Sequence, residues 1–325
     1  MTTDAPSPAG RLHYLGVLRF TGPDSLSFLQ GQVSGDTRRL AQGHGLLAAY
    51  SSPQGRVLAL MHLLPHSSGI IAILPRELVL PTSEALRKFV LRAKVKIEDA
   101  SQTLSVSGQY GTRGLKAAGV AVPPSGTGYL EKDGVGVGAV NRDPSRYWVI
   151  SAIEEPTEPG RVRELAHAAH GLAGAPLHVE QDWRLADIRA GLPQIYLATR
   201  EAFVAQMLNL DLLDGISFTK GCYTGQEIIA RTQHLGRIKR RLYRLRLPPG
   251  EWTLGQALRL RDGRAGRLTE VIRSGAGCEA LAVLNLQANT AGTDGGSLDV
   301  AESGDVEAQA GAAVIATQLP LPYEL

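Results

Sequence analysis

Residues 220–227, Lys-Gly-Cys-Tyr-Thr-Gly-Gln-Glu, crowd an ammonium, a thiol, a phenol, an amide and a carboxylate into one short block. Cys222 is one of only 2 cysteines in the chain, and Lys220 stands just before it. A thiol acts as nucleophile or metal ligand through its thiolate, which nearby positive charge or a helix N-terminus stabilises. Thr224 and Glu227 fit a capping box, with Thr224 as N-cap and Ile228 and Ile229 entering the core. That reading puts Cys222 just outside a helix, close to its unpaired N–H groups and positive dipole end. Gly221 and Gly225 permit a tight turn or the close approach of a ligand. Glu227 pulls the other way, because a neighbouring carboxylate disfavours the thiolate. The ordinary fate of a lone cysteine is a small buried hydrophobe, but Lys, Tyr, Thr, Gln and Glu are poor core company. Cys278, in the Ser-Gly-Ala-Gly-Cys-Glu stretch 274–279, follows a turn into a strand and reads as structural.

The elements that must position this block alternate short strands with helices. Residues 12–20 read as a strand, and Asp24 or Ser25 caps a short helix ended by Gly31. Strands follow at 46–50, 56–64 and 69–74, with a turn at Ser52-Pro53-Gln54-Gly55. Thr82 or Ser83 then caps a helix through Leu91, and strands return at 95–98, 104–107, 135–141 and 147–152. Helices are expected at 158–170 and 181–190, the latter closed by Gly191 and Pro193. Past Pro248 the helical signal fades into alternating stretches between Gly-rich turns, at 257–261, 281–284 and 313–316. The pattern predicts an α+β fold with ferredoxin-like lobes and, over 241–325, a small all-β barrel or sandwich. Residues 1–10 read as a flexible tail, and 11–240 as an α+β module of two interleaved lobes.

A chain of 325 residues with 43% hydrophobic and 20% charged residues suits a globular protein of more than one domain. Two distant cysteines offer neither a disulfide framework nor metal-ligand spacing, which fits a reducing cytoplasm. The start lacks the basic and apolar regions of a signal peptide. The longest strongly apolar run, 70–74, is far short of the roughly 18 residues a membrane span needs. Net charge is +3, but its distribution is uneven. Between Glu227 and Glu251 no acidic residue occurs, while Arg231, Arg237, Lys239, Arg240, Arg241, Arg244 and Arg246 do. Such a run is either a solvated face or a surface for an anion or phosphate backbone. Gly134, Gly136 and Gly138 imitate a dinucleotide loop, but a strand continues where a helix would have to begin. His167 and His170 share a helix face without a third ligand nearby, so no stably bound metal is expected.

The block 220–227 matches the KGCYxGQE hallmark of the YgfZ-type folate-binding proteins, relatives of the glycine-cleavage aminomethyltransferase (T protein). The segments GPDSLSFLQGQVSGD (22–36), PQGR (53–56), LRAKV (91–95) and DIRAGLPQI (187–195) resemble the same family in the same order. The resemblance implies an aminomethyltransferase-like ring of three domains around a tetrahydrofolate pocket, closed by a C-terminal β-barrel. It also implies a cytoplasmic role in making or repairing iron–sulfur enzymes, among them tRNA methylthiotransferases. The motif's roles carry over to Lys220, Cys222, Tyr223 and Gln226, with Glu227 in the same block and Cys222 as the functional thiol. Arg231 and Arg189 are the expected pocket wall or mouth.

Two departures bear on chemistry. Family members commonly have Pro where FVAQ (203–206) has Ala205. True aminomethyltransferases carry an Asn…Asp pair and a Leu-Glu-Ala-Gly segment; here 71–86 lacks the pair and 188–191 reads Ile-Arg-Ala-Gly. A carboxylate accepts a pterin's N–H groups, whereas a guanidinium only donates. Aminomethyl transfer is therefore expected to be absent. Two other functions stay open on the sequence: a folate-dependent one-carbon transferase, and a tRNA or protein docking module built on the basic 231–246 stretch.

Overall fold

The computed structural model describes residues 9–124, 126–153, 176–234, 238–286 and 313–325. Two compact units are formed: Met1–Ser51, Leu58–Trp183 and Leu213–Thr224 make the first, and Ser52–Val57, Arg184–Leu212 and Gly225–Leu325 the second. Among the described residues the strands build three five-stranded antiparallel sheets. The fold is α+β, as the alternation of short strands and helices implies.

The first unit holds two of these sheets. In one, the order is β3 (Leu46–Ser51), β4 (Val57–His66), β5 (Gly69–Pro75), β2 (Leu15–Thr21) and β6 (Lys96–Asp99). All of β3 and the first eight residues of β4 are buried, so these strands read as largely apolar runs, His62 and Ser51 apart, and do not alternate with polar residues. Helix α3 (Arg76–Arg87) lies against β2, where bare Gly16 lets it approach; a Cβ there would meet Val79 Cγ2 at 2.5 Å. The sequence places the start of this helix after Pro81, but the helix begins six residues before the expected Thr82 and runs through the proline. Pro81 removes one N–H, yet Leu78, Val79, Thr82, Ser83 and Leu86 still form one buried face, and that packing outweighs the lost bond.

The other sheet runs β1 (Ala9–Arg11), β7 (Leu104–Tyr110), β10 (Asp143–Ala152), β9 (Val135–Val140) and β8 (Tyr129–Lys132). Residues 9 and 10, read as tail from the sequence, instead pair with Gln109 and Gly108. Gly136 lies inside β9 beneath Tyr129, whose hydroxyl would stand 2.1 Å from an added Cβ. The glycine alternation thus seats a tyrosine on a strand. The helix expected at 158–170 lies outside the described residues.

The second unit carries the third sheet, ordered β12 (Ala257–Arg259), β13 (Ala265–Ser274), β14 (Gly277–Asn285), β11 (Arg240–Leu247) and β15 (Thr317–Leu319). No closed barrel is formed among the described residues; Val314 makes a single parallel bridge to Leu260 just past β12. Cys278 is buried on β14 with Leu247 and Ala280, the structural role its sequence context suggests. Tyr323 donates its hydroxyl to the Gly191 carbonyl at 2.8 Å, and Gly191 has φ +66 where a Cβ would strike Leu321 and Tyr323.

One carboxylate organises this sheet. Glu279, on β14, has a side chain 1% exposed and accepts from Arg189, Arg244 and Arg246 at 2.9, 2.6 and 3.4 Å. Burial alone would raise its pKa; hydrogen bonds from Arg189 and Arg244 reverse that and hold it at about 2. The folded value lies below the unfolded one near 4.3, so the stabilisation is complete above about pH 4.3 and is lost as pH falls toward 2. Glu279→Gln should cost about 2 kcal/mol at pH 7. In urea titrations the variant should also lose less stability than wild type between pH 5 and pH 3; parallel losses would remove Glu279 from the acid response.

Candidate functional site

In the first unit, the segment Gly31-Gln32-Val33-Ser34-Gly35-Asp36 is the bed on which residues 220–224 rest. Ser34 is fully buried; its hydroxyl donates to Gly215 O at 2.5 Å and accepts from Ala49 N at 2.8 Å. Its carbonyl accepts from Ser217 N at 2.9 Å. Lys220 then reaches inward. Its Nζ donates to Val33 O at 2.7 Å and Gly35 O at 2.8 Å, and stands 4.8 Å from the Tyr223 ring centroid. Burial lowers its pKa to about 8, with Asp36 pulling up and Arg38 pulling down. Tyr223 is 7% exposed, and burial pushes its phenol up to about 12. Cys222, between these two inward side chains, is exposed. Gly221 is exposed too, with open space where a Cβ would stand.

Thr224 does not cap a helix as its spacing to Glu227 suggests. Its N–H donates to Gly31 O at 3.3 Å and its hydroxyl to Gln32 Oε1 at 3.4 Å, so both groups serve the 31–32 turn. Gly225 follows with φ +81, and the helix spans Gln226–His234 in the second unit. Within that unit the helix has its own supports. Gln206 donates to the Ile229 carbonyl at 2.6 Å. Gly55 of the PQGR turn comes so close that a Cβ would meet Ile228 Cβ at 2.9 Å. Gln226 is half-buried, while Glu227 and Arg231 are exposed.

The remaining candidates fall elsewhere. Arg189 belongs to the Glu279 network. Most of the basic stretch is likewise engaged: Arg240 donates to Asn285 Oδ1 at 2.9 Å, Arg241 grips Asp211 through two bonds of 2.6 and 2.8 Å, and Arg244 and Arg246 meet Glu279. Arg237 lies outside the described residues. The sequence reading missed a buried stack in the first unit. Arg146, fully buried, bonds Asp143 at 2.7 Å and sits 4.6 Å over the Trp183 ring, which in turn packs on Trp148 at 5.0 Å and Tyr110 at 5.5 Å. His62 completes it, 5.2 Å from Trp148, with burial and then Arg146 lowering its pKa to about 4. The signal was there: Trp148 and Trp183 are two of only 3 tryptophans. Trp183 is wholly buried and its indole N–H meets no acceptor among the described residues. Also among the described residues, no group of three or more His, Cys, Asp or Glu is placed to hold a metal ion, and no helix is long and apolar enough to cross a membrane.

No family model matches the chain. Curated relatives do. The chain is 30% identical to the tRNA-modifying protein YgfZ of Hamiltonella defensa over 76% of its length and 70% of the relative's. Against the proteins of the same name from Colwellia psychrerythraea and Klebsiella pneumoniae it is again 30% identical, covering 71% and 78% of this chain and 69% and 76% of theirs. Among solved structures, glycine cleavage system aminomethyltransferase T from Bartonella henselae matches with a TM-score of 0.56 over 87% of this chain and 80% of that one. At 12% identity that likeness shows the fold. The KGCYTGQE block with its buried lysine and exposed cysteine, the ordered companion segments and these relatives place the chain in the YgfZ family, on an aminomethyltransferase T fold.

Proposed function

We propose that this chain is a tetrahydrofolate-binding accessory factor for the synthesis or repair of iron–sulfur proteins, including enzymes that modify tRNA, and that it acts through Cys222 in the cytoplasm. One observation carries the reading: in the KGCY loop the lysine and tyrosine side chains turn inward while the Cys222 side chain is left exposed. The relatives' name, tRNA-modifying protein, supports the pathway, and the aminomethyltransferase T fold supports a folate. A cluster typically wants four ligands, so one thiolate holds it only together with a partner or briefly. For the pterin, Trp183 offers an unmet indole donor in an aromatic stack, the kind of group a pterin carbonyl or ring nitrogen satisfies. Arg189 stands where aminomethyltransferases carry a glutamate, and its guanidinium is spent on Glu279, which counts against aminomethyl transfer.

Cells lacking this protein, restored with wild type or Cys222→Ala, should regain tRNA methylthiolation only with wild type, while tetrahydrofolate binding by the variant stays near normal. Equal rescue by both would make Cys222 scaffold; loss of folate binding in the variant would put the thiol in the pocket wall.

Lys220 acts here as the anchor of the thiol's loop. Lys220→Met should lower stability by about 2 kcal/mol through two lost charge-assisted bonds, yet leave alkylation of Cys222 by iodoacetamide close to wild type. The pH dependence has a defined sign. Folded Lys220 releases its proton near 8 and unfolded lysine near 10.4, so the unfolded chain binds more protons between them and this group's contribution to stability rises with pH there. The stability gap between wild type and Lys220→Met should widen from pH 8 to 10. A collapse of alkylation in a folded variant would instead put the cation to work on the thiol.

A further inference from the structure

The cations at 240–246 are largely matched to internal acceptors, so the unneutralised positive surface lies somewhere else. It is on the connection between α3 and β6. From Arg87 to Lys96 there is no acidic residue, and Arg87, Lys88, Arg92, Lys94 and Lys96 are all exposed. Two of these are engaged: Arg87 donates to Ile97 O at 2.8 Å and Lys96 pairs with Glu98 at 2.7 Å. The side chains of Lys88, Arg92 and Lys94 make no hydrogen bond or ion pair with any described residue. Among them stand apolar side chains held in water: Phe89 is 42% exposed and Leu91 87%, with Leu80 of α3 at 62%. The loop is nonetheless fixed. Lys94 N donates to Asp24 Oδ2 at 2.7 Å, and Gly22, at φ +109, lies so close that a Cβ would stand 2.2 Å from Lys94 O. Gly22 also lines an open, largely apolar pocket of about 310 Å³, walled by Phe20, Pro23, Leu26 and Ile70.

We propose that this surface, with Lys88, Arg92 and Lys94 on phosphates and Phe89 on a base, docks a single-stranded stretch of tRNA. The inference rests on the tRNA-linked reading above and names the surface it uses. Three free cations on a run that carries no acidic residue of its own, with Asp24 and Glu98 at its edges already engaged, match a polyanion, and an exposed phenylalanine between them offers the stacking face that single-stranded nucleic acid uses and a duplex backbone does not. The apolar pocket beside Gly22 gives an unstacked base room. An acidic protein partner would satisfy the cations but leave Phe89 and Leu91 without a reason to be exposed together.

The test is fluorescence anisotropy of a labelled, unmodified tRNA transcript with the full chain across a KCl series. Lys88→Glu/Arg92→Glu/Lys94→Glu should weaken binding by about tenfold or more and flatten the salt slope by about 2, for three lost single-strand phosphate contacts. Phe89→Ala should weaken it by roughly fivefold or more with the slope unchanged. The charge-matched triple Lys116→Glu/Lys132→Glu/Arg273→Glu, exposed residues elsewhere, should stay near wild type. Tetrahydrofolate binding, followed in the same variants, reports that they are folded. If the two triples bind tRNA alike, the surface is overturned. If wild type binds tetrahydrofolate but no tRNA, direct docking fails and the folate reading stands; tRNA binding lost with the patch while no protein binds folate would do the reverse.

Discussion

A buried lysine head group holding two backbone carbonyls is the interaction on which the KGCY loop depends. An ammonium out of water needs compensation, and Val33 O, Gly35 O and the face of Tyr223 supply it. The consequence is geometric. With residues 220 and 223 drawn inward, the short chain between them must bow out, and Cys222 rides on the bow beside a glycine with empty space around it. The lysine therefore gives the thiol its position. It also ties two distant segments, 31–36 and 220–224, into one piece, which explains why both read as characteristic blocks in the sequence. When the lysine releases its proton the amine keeps two N–H donors, so the anchor survives deprotonation while the contact with the tyrosine ring loses its charge.

The arginines illustrate a second constraint. A run of basic residues in sequence says nothing about which of them are already paired. Arg241 is pinned by Asp211, and Arg244 and Arg246 by Glu279, acceptors 30 or more positions away along the chain. A stretch that looks like a polyanion site is in good part the inner wiring of a sheet. The shorter run at 87–96 has fewer charges but leaves three of them unmatched, and unmatched charge is what a polyanion feels.

Much of the fold was legible because it is written locally. Alternation and turn residues located most of the described strands, though not β1, β8, β11, β13 or β15, and Asp24 and Gly31 bracket the first helix, Ser25–Gln30, as their types suggest. What failed was decided by partners remote in sequence. Thr82 or Ser83 is the expected cap, but burial of Leu78, Val79 and Leu86 against the sheet starts the helix at Arg76 and carries it through Pro81. Thr224 and Glu227 have capping-box spacing, yet Gly31 and Gln32 claim the threonine first. The sequence shows only how close Lys220 stands to Cys222; the carbonyls that hold the lysine lie 185 and 187 residues away. The Arg146–Trp183 stack escaped notice because arginine inside a core has no sequence signature apart from the tryptophans themselves.

Position 189 shows how such wiring limits chemistry. In aminomethyltransferases the matching residue is a pterin-holding glutamate, and here it is an arginine bonded to a carboxylate with 1% of its side chain exposed. Restoring a glutamate at 189 would face Glu279 with a second carboxylate at hydrogen-bond range and remove one of its three cations. Like charges at that range cannot both ionise cheaply, so one would take up a proton and lose its value as an acceptor. Residues 189 and 279 are therefore coupled: the acid at 279 demands a base at 189. A return toward the transferase pattern would need both positions to change, together with the Asn…Asp pair that 71–86 lacks. A change at 189 or at 279 alone would weaken this sheet, because each leaves the other's buried or half-buried charge without its partner.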